Sequence, residues 1–520
     1  MTLVGSPRGL RSFVLPIGLI AISLVALALY RGIGDDDGFL RNLSMINNGK
    51  ATQASTHENH RPTNTHAPPK YKETPNFAAP SATDPFPLLT NPTATPPPIP
   101  EYNVPRPGLH REYGLSYTPP LFIGFTRQWP MLLQCVVGYL TAGWPPESIF
   151  VVENTGVQDA NAQGKLSLQN PFYLNHATLR KLGVNIIQTP VLLTFSQMQN
   201  FFLNTALSRS WPYYFYSHQD VLVFSFEDGP DTLERDGDRN WFFYDEKEEA
   251  DIMRPAAAGQ DGYKTIYENC LRELNQTLER EERWAFRWFQ YDHLTLVNRA
   301  ALDAVGGWDS LMPYYGSDCD MNARLEMDGW TMRHRRVGII NDVSTVLEDL
   351  AALYRDPNVV PRFIDPNPAF VPKEQSKEAQ KEPSKGEENG TDKEQSKDGK
   401  EGKEAKVDQK RDEKGVNGTE SMSVARSIEY FRELVNVGND MGAYKYRDKK
   451  NARNSWQNSQ HGGVGEPYYY NPEGFAASFW ILAEAGREVF RQKWGHRECN
   501  LVEETALKLE DQWLVEKDWE

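Results

Sequence analysis

One apolar stretch, interrupted once by polar residues, most strongly limits the folds that this chain can adopt. Residues 211–226 read WPYYFYSHQDVLVFSF, in which two aromatic and β-branched runs, 213–216 and 221–226, flank the polar residues 217–220. Runs of this length and composition are typical of a strand that is covered on both faces of an α/β sheet. The polar residues include neither Gly nor Pro, so they do not indicate an ordinary hairpin turn. The stretch predicts a central strand that ends at a polar edge.

Two residues at that edge, His218 and Asp220, are able to bind a metal ion. Ligands of open α/β sheets bind at the carboxyl ends of the strands. Residues two apart on an extended backbone point the same way, and an imidazole with a carboxylate can hold a divalent ion such as Mn²⁺. The alternative is a buried strand that ends in a solvated loop, and so short a motif does not decide between the two.

Strands and helices alternate from about residue 117 onward. The pattern predicts strands at 121–126, 149–153 and 184–189. It also predicts helices at 130–140 and 174–182, and a third helix that is capped by Ser196 and ends at residue 210. Such alternation implies right-handed parallel βαβ units, and therefore an α/β domain able to bind a nucleotide. No GxGxxG follows the first strand and no GxxxxGK[ST] occurs, which argues against a Rossmann dinucleotide site and a P-loop.

A second informative stretch spans residues 284–330. It opens like a strand, continues as a short helix over 298–305, and reaches Gly-Gly-Trp-Asp at 306–309. Ser317 can cap the next helix, whose first turn contains Asp318 and Asp320. Acidic residues suit the start of a helix because of its dipole, so these two could also have no further role.

Together the two stretches resemble the GT-A glycosyltransferases, particularly the family 2-like type. The resemblance spans about residues 121–340 and rests on the order of its motifs: a strand ending in His-Gln-Asp at 218–220, then Gly-Gly-Trp-Asp at 306–309, then an acidic helix start. It implies a mostly parallel sheet flanked by helices. His218 replaces the first Asp of the family's DxD motif, and Ser317-Asp318 replaces its Glu-Asp pair.

The resemblance implies a transferase that moves a sugar from a nucleotide-sugar donor to a hydroxyl of a glycan or glycoconjugate. Asp318 would deprotonate that hydroxyl in an inverting displacement, a contribution worth about 10²–10⁴-fold. A retaining mechanism stays open, because the inverting assignment follows only from Asp318 as the base. A divalent metal, Mn²⁺, held by Asp220, His218 and a third candidate ligand, His334, would offset charge on the leaving diphosphate.

The same resemblance assigns further residues. Those implied to contact the donor are Thr126, Arg127, Glu153, Asn154, His218 and Asp220. Those implied to support the site are Trp308, Asp309, Asp320 and Arg324. Of these, Asp320 and Arg324 are four residues apart, which predicts an ion pair along one helix face.

The N-terminal region predicts a membrane protein. Residues 13–30 are eighteen uncharged, mostly apolar residues, close to the length of a spanning helix, although a cleaved signal peptide is the alternative. The positive-inside rule places residues 1–12 in the cytosol and the rest in the lumen. We expect a single-pass type II protein of the Golgi membrane, with the endoplasmic reticulum or the cell surface as alternatives.

Sequons and cysteines agree with a lumenal position. The acceptor asparagines are Asn42, Asn275, Asn389 and Asn417. The cysteines are Cys135, Cys270, Cys319 and Cys499, which allow two disulfides in three connectivities. Cys135 lies in an apolar helical pattern and could equally be a buried thiol.

The remaining segments complete the expected organisation. Residues 31–109 are rich in Pro and Thr and predict a disordered stem, followed by a GT-A-like domain at 110–365. Residues 366–422 are charged and predict a disordered insertion. A helical region follows at 423–520, with helices at 424–437, 475–494 and 501–519. An acidic segment at 227–262 could be a lid, an acceptor loop or a solvated excursion.

Two other classes of function compete with a transferase. The net charge of -15 over 520 residues argues against general nucleic-acid binding. A GT-A-like protein that binds without catalysis is favoured by His218 in place of an aspartate. A lumenal glycoside hydrolase is more distant and would need Asp318 and a second carboxyl group about 5–10 Å apart.

Overall fold

The computed structural model describes residues 67–71, 83–230, 255–280, 282–364, 423–447 and 472–519, together with Gly463 and Glu466. Residue contacts divide the chain into two units, 1–75 and 76–520. Of the first unit only residues 67–71 are described, and they form neither helix nor strand. The predicted cytosolic tail, the anchor at 13–30 and the insertion at 366–422 lie outside the described residues. No helix within the described ranges is long and apolar enough to cross a membrane.

The described part contains one large sheet and two small antiparallel pairs of strands. The strands are β1 (Leu121–Phe125), β2 (Ile149–Glu153), β3 (Asn185–Gln188), β4 (Tyr213–Ser217), β5 (Val221–Phe224), β6 (Trp284–Phe289), β7 (Leu294–Asn298), β8 (Thr331–His334), β9 (Ile339–Asp342), β10 (Val346–Leu347) and β11 (Phe363–Ile364). The large sheet has the order β3-β2-β1-β4-β7-β6-β8. Its β1–β2, β2–β3, β1–β4 and β6–β8 pairs are parallel, whereas β7 runs antiparallel to both of its neighbours.

Helices cover both faces of this sheet. They are α1 (Pro87–Thr90), α2 (Leu109–Glu112), α3 (Trp129–Thr141), α4 (Gln158–Ala162), α5 (His176–Lys181), α6 (Phe195–Ser208), α7 (Ile266–Glu279), α8 (Arg299–Ala304), α9 (Ser317–Met327), α10 (Val424–Arg447), α11 (Pro472–Trp494) and α12 (Leu501–Glu504). Short 3₁₀ helices lie at 101–103, 146–148, 350–354 and 509–511. The prediction of a mostly parallel α/β sheet with flanking helices is confirmed.

The alternation of side chains along β1 explains why the sheet has two cores. Leu121 and Ile123 point into a core that contains α3, α7 and α10, whereas Phe122 points into the opposite core, formed with α6, α8 and α9. Gly124 lets α6 approach closely, because a Cβ there would lie 2.6 Å from the Met198 side chain. The strand is therefore buried on both sides, as its composition predicts.

Residues 211–226, the apolar stretch with a polar interruption, form two strands that are separated at the polar residues. β4 lies in the middle of the large sheet, between β1 and β7, and ends at Ser217. Residues 218–220 then carry the chain out of that sheet, and β5 begins at Val221 and pairs antiparallel with β9. The expectation of a central strand with a polar edge is confirmed, and the second apolar run forms a separate short strand.

The N-terminal boundary of the folded region differs from the predicted stem. Phe86 is fully buried and Leu89 is nearly so, and both belong to the main core. Asn103 donates hydrogen bonds to the Thr141 carbonyl at 2.8 Å and to Glu227 at 2.9 Å. Residues 83–109 are thus part of the domain, because a few apolar and amide side chains anchor a stretch whose overall composition is typical of a linker.

Two helix starts also differ from the sequence expectation. The N-cap residue of α6 is Thr194, whose backbone N–H donates to the Gln197 side chain at 3.0 Å, so Ser196 lies inside the helix. α9 is preceded by Gly316 in a left-handed conformation with φ 87°, and Ser317 is its first residue. Sequence reasoning placed each cap one or two residues too late.

The C-terminal region packs against α9. Phe490 and Trp494 of α11 share a core with Met312 and Ala323, and a disulfide joins Cys319 to Cys499. The other two cysteines, Cys135 and Cys270, are free and buried, so one of the two disulfides that the count allows is formed. The helix expected over 501–519 is limited to α12, since Thr505 adopts an extended conformation.

Candidate functional site

A cavity of about 290 Å³ opens where β1, β2 and β4 end. Six of the residues that the sequence assigned to the site line it, from four separate segments of the chain: Thr126, Arg127, Asn154, His218, Asp220 and Asp318. This is the edge at which parallel α/β sheets bind their ligands. The topology brings these residues together because β1 lies between β2 and β4.

His218 lies between two carboxylates. Its Nε2 atom is 3.4 Å from Asp292 Oδ2, and its Nδ1 atom is 4.0 Å from Asp220 Oδ1. Burial by itself would lower the pKa of His218, but the negative charge of Asp292, with those of Asp220 and Asp342, outweighs burial and raises this pKa to about 9. Burial would raise the pKa of Asp292, and the adjacent His218 reverses this and lowers it.

A group able to hold a metal ion is formed by His218, Asp292 and His293, whose ligand atoms lie within 4.8 Å of one another. Among the described residues, His293 Nδ1 makes no hydrogen bond, and His218 Nε2 is paired with Asp292, which belongs to the same group. Two imidazoles and a carboxylate suit a divalent transition metal such as Mn²⁺ or Zn²⁺. This donor set differs from the predicted one, since it includes neither Asp220 nor His334.

Sequence reasoning missed Asp292 and His293, which lie in the turn between the antiparallel strands β6 and β7. The backbone amide of His218 donates to the His293 carbonyl at 3.1 Å, so the turn lies directly beside the end of β4. An adjacent Asp and His after the strand predicted at the start of residues 284–330 was the available signal. It becomes informative only with the pairing of β4 and β7.

His334 is placed elsewhere. It ends β8 and packs against the Trp288 ring at a centroid distance of 4.9 Å. Burial, reinforced by the neighbouring charge of Arg335, lowers the pKa of His334 to about 4. The structure therefore gives this histidine a neutral, packed environment outside the candidate metal group.

The Asp220 carboxylate is held by a lysine from the C-terminal region. Lys445 Nζ lies 2.7 Å from Asp220 Oδ2 and 2.5 Å from Asp342 Oδ1. Although burial would raise the pKa of Asp342, Lys445 outweighs it and holds this pKa well below its ordinary value. Lys445 is more than 200 residues from Asp220 in the sequence, and no local pattern linked the two.

Asp318 lies in the first turn of α9 and lines the cavity. Its Oδ2 atom is 3.4 Å from the hydroxyl of Tyr291, which is in the same turn as Asp292. Burial, and secondarily the charge of Asp292, raises the pKa of Asp318 above its ordinary value. A carboxylate with these properties can accept a proton from a ligand in the cavity.

Asp320 is fully buried behind this helix start. It accepts hydrogen bonds from Arg324 at 2.8 Å and from the Trp494 indole at 3.0 Å, and Lys493 Nζ is 2.7 Å away. The ion pair with Arg324 is the one that the i,i+4 spacing predicts. Lys493 also contacts Asp309 at 2.9 Å, so this network fixes α9 to the C-terminal helix α11.

The Gly-Gly-Trp-Asp segment supports the cavity from behind. Trp308 is buried and packs edge-on against Phe195, which lines the cavity. Arg324 donates to the Gly307 carbonyl at 2.8 Å. Trp308 is therefore placed in the core and is not among the residues that line the cavity.

Glu153 and Asn154 differ in position although they are adjacent. Glu153 is fully buried, does not line the cavity, and accepts hydrogen bonds from Gln188 and Asn161 while its Oε2 is 2.8 Å from His176 Nε2. Asn154 lines the cavity, and its side chain binds the backbone of Leu193 through both an N–H donor and an oxygen acceptor. Asn154 thus fixes the loop after β3 that forms one cavity wall.

The cavity has an aromatic wall, and two of its four side chains, Phe475 and Phe479, come from beyond the resemblance. Phe475 and Phe479 of α11, together with Tyr314 and Tyr315, line the side next to Asp318. The Arg127 guanidinium lies 4.3 Å from the centre of the Phe475 ring. Aromatic faces of this kind can stack on a nucleobase or a sugar.

One glycosylation sequon can be placed. Asn275 is half-buried on α7 and donates to Glu279 at 2.8 Å, while Thr277 of the same sequon is buried and accepts a hydrogen bond from Arg287. Asn42, Asn389 and Asn417 lie outside the described residues.

The chain matches no protein-family model, and no curated protein matches it. Among solved structures it is similar to a cytidylyltransferase from Leptospira borgpetersenii serovar Hardjo-bovis (strain JB197), at 10% identity and a TM-score of 0.22, over 43% of this chain and 81% of that one. It is also similar to a mannosyltransferase from Pyrobaculum calidifontis in complex with GDP-Man and Mn²⁺, at 11% identity and a TM-score of 0.23, over 44% of this chain and 60% of that one. Both neighbours are transferases, but at these TM-scores neither likeness adds to what the sheet and the cavity themselves show.

Proposed function

We propose that this protein is a glycosyltransferase that takes a sugar from a nucleotide-sugar donor and transfers it to a hydroxyl of a glycan or glycoconjugate. The observation that carries the proposal is the cavity at the ends of β1, β2 and β4. It combines a buried arginine, an aromatic wall, a group able to hold a metal ion and a carboxylate with a raised pKa. These groups suit a charged diphosphate, a flat base and a weakly nucleophilic hydroxyl.

The donor would lie between Arg127 and the aromatic wall. A guanidinium can donate paired hydrogen bonds to phosphate oxygens, and these are among the stronger hydrogen bonds in proteins. Thr126 lies beside Arg127 at the end of β1, and Asn154 holds the neighbouring loop in place. These residues bind and orient the donor and take no part in bond making.

Asp318 would act as the general base. The acceptor oxygen attacks the anomeric carbon, the bond from that carbon to the diphosphate breaks, and the hydroxyl proton passes to the Asp318 carboxylate. Attack from the face opposite the diphosphate inverts the anomeric configuration. A raised pKa makes this carboxylate a better proton acceptor than an ordinary aspartate and brings it closer to neutral pH.

The residues that would hold a divalent metal, Mn²⁺ in our proposal, are His218, Asp292 and His293. The metal would stabilise negative charge on the departing diphosphate. His218 and Asp292 line the same cavity as Asp318, so the metal group and the base face one space.

We also propose that the protein is a single-pass type II protein of the Golgi membrane, anchored by residues 13–30, with its domain in the lumen. The disulfide between Cys319 and Cys499 supports this proposal, because disulfides persist in oxidising compartments and are rare in the cytosol.

A second candidate function is nucleotide-sugar binding without catalysis. It is favoured by the Asp220 carboxylate, which is engaged by Lys445 where the resemblance implies a metal ion. In this case the cavity would bind a nucleoside diphosphate and release no product.

The test is release of nucleoside diphosphate from a panel of UDP- and GDP-sugars by the full-length protein, with Mn²⁺ or EDTA. We expect release from one donor, a lower rate in EDTA, and a loss of about 10²-fold or more in Asp318→Asn. Asp303→Asn is the matched control, since Asp303 is on the surface of α8 and pairs with Arg299. Donor binding without release would support the binding protein, and sugar release without a nucleotide would indicate a hydrolase.

A further inference from the structure

Lys445 occupies a position that the sequence assigned to a metal ion. Its ammonium group, which has three protons, lies 2.7 Å from Asp220, 2.5 Å from Asp342 and 3.4 Å from the Val343 carbonyl. The side chain is almost completely buried. Its three donors are therefore matched by three protein acceptors.

The pairing of two strands explains why a cation is needed there. β5 and β9 are antiparallel with Val221 opposite Asp342, so the Asp220 carboxylate, one residue before β5, lies near that of Asp342. Two neighbouring carboxylates in a buried place repel each other and require an opposite charge. Either a metal ion or a lysine can supply it.

The helix that carries Lys445 is fixed in the core. Phe431, Leu434 and Met441 of α10 are buried in the main cluster. Gly438 brings α10 onto β5 and β9, since a Cβ there would lie 3.1 Å from both Asn341 and Phe224 side-chain atoms. The position of Lys445 is thus set by packing and does not depend on its ion pairs alone.

From this geometry we infer that Lys445 is a built-in cation that takes Asp220 and Asp342 away from metal binding. Any divalent ion is then limited to the group formed by His218, Asp292 and His293. Of these, His293 also contacts the pair, since its Nε2 atom is 3.5 Å from Asp342 Oδ2. Two cations could not share the Asp220–Asp342 pair without strong repulsion. The role of Lys445 in donor binding rests on the proposed function. By neutralising the Asp220 carboxylate, Lys445 would prevent this carboxylate from repelling the donor diphosphate.

The inference is tested by Mn²⁺ binding to the full-length protein, followed by electron paramagnetic resonance and read as differences between variants. In the otherwise wild-type chain, Asp292→Asn should weaken the tightest Mn²⁺ site about tenfold or more. Asp220→Asn should weaken that site clearly less, because Asp220 would only neighbour the ligand His218, with its Oδ1 atom 4.0 Å from His218 Nδ1. Lys445→Met should gain one Mn²⁺ site per chain, and adding Asp220→Asn to that variant should abolish the gain.

Two results would overturn the inference: loss of wild-type Mn²⁺ binding in Asp220→Asn as large as that in Asp292→Asn, or no added site in a folded Lys445→Met protein. If Lys445→Met folds only when Mn²⁺ is present, the metal has replaced the lysine and the inference is supported. If it does not fold under either condition, the comparison of Asp220→Asn with Asp292→Asn decides. No donor or acceptor is present, so a failure here is distinct from a failure of the transferase proposal.

Discussion

Asp318 is the residue on which the proposed chemistry depends, and its burial gives a testable pH dependence. Its raised pKa means that the carboxylate becomes protonated, and unable to act as a base, at a higher pH than an ordinary aspartate with a pKa of 3.8. We expect kcat/KM to fall on the acidic side, with an inflection above that value. A profile of kcat/KM against pH measures this inflection. If Asp318→Asn shows the same inflection as the wild type, the titrating group is not Asp318.

Glu153 shows how a residue that the resemblance placed at the donor serves the fold. It accepts hydrogen bonds from the buried Asn161 and from Gln188, an exposed residue, and it is 2.8 Å from the buried His176. Glu153→Gln would replace one acceptor oxygen by an amide nitrogen, which cannot accept a hydrogen bond from these donors. The substitution should therefore lower the free energy of unfolding by about 1–3 kcal/mol. Urea denaturation and donor titration check this, and weaker donor binding with unchanged stability would contradict it.

At the scale of elements, α9 carries the proposed base and is tied to the C-terminal region. The Cys319–Cys499 disulfide closes a separation of 180 residues, and Cys319 follows Asp318 directly. The paired variant Cys319→Ser/Cys499→Ser should lose about 2–5 kcal/mol of stability. Denaturant unfolding measures this loss. Reductant should destabilise the wild type and leave the variant unaffected; equal effects on both would argue against the disulfide.

Local patterns were sufficient for the elements that the sequence predicted well. The apolar run before Ser217 and the strand pattern at 121–126 placed β4 and β1 in the sheet. The acidic first turn of α9 placed Asp318, because its position depends only on where that helix starts. These features are local, and a single segment determines each of them.

The missed parts of the site depend on contacts between distant segments. Lys445 reaches Asp220 from α10, and two side chains of the aromatic wall, Phe475 and Phe479, come from α11. Asp292 and His293 required the antiparallel pairing of β7 with β4. Nothing in the local sequence of these residues specifies their partners, so only the folded chain reveals them.

At the scale of the whole molecule, the domain includes residues before the predicted boundary at 110. Phe86 is fully buried, and Asn103 binds Glu227, which also pairs with the buried Arg355. A chain that begins at residue 105 should therefore be less stable than one that begins at residue 76, because losing the Phe86 side chain alone costs about 3–5 kcal/mol.

Urea denaturation of the two truncated chains tests this boundary. A third chain that begins at residue 76 and carries Phe86→Ala separates the effect of this side chain from that of chain length. Equal stability of the chains that begin at 76 and 105 would show that residues 83–104 are not part of the folded domain.

The central claim is that the cavity at the ends of β1, β2 and β4 binds a nucleoside diphosphate. Calorimetric titration of UDP and GDP into the full-length protein tests this claim. Two arginines that both lie on aromatic rings serve as the variant and its control. Arg127 lies on Phe475 in the cavity, and Arg209 lies on Phe150 and Trp211 outside it. We predict that Arg127→Ala weakens binding of one nucleotide about tenfold or more, and that Arg209→Ala changes it less than about twofold. Equal binding by both variants and the wild type, or no binding of either nucleotide to the wild type, would contradict the claim.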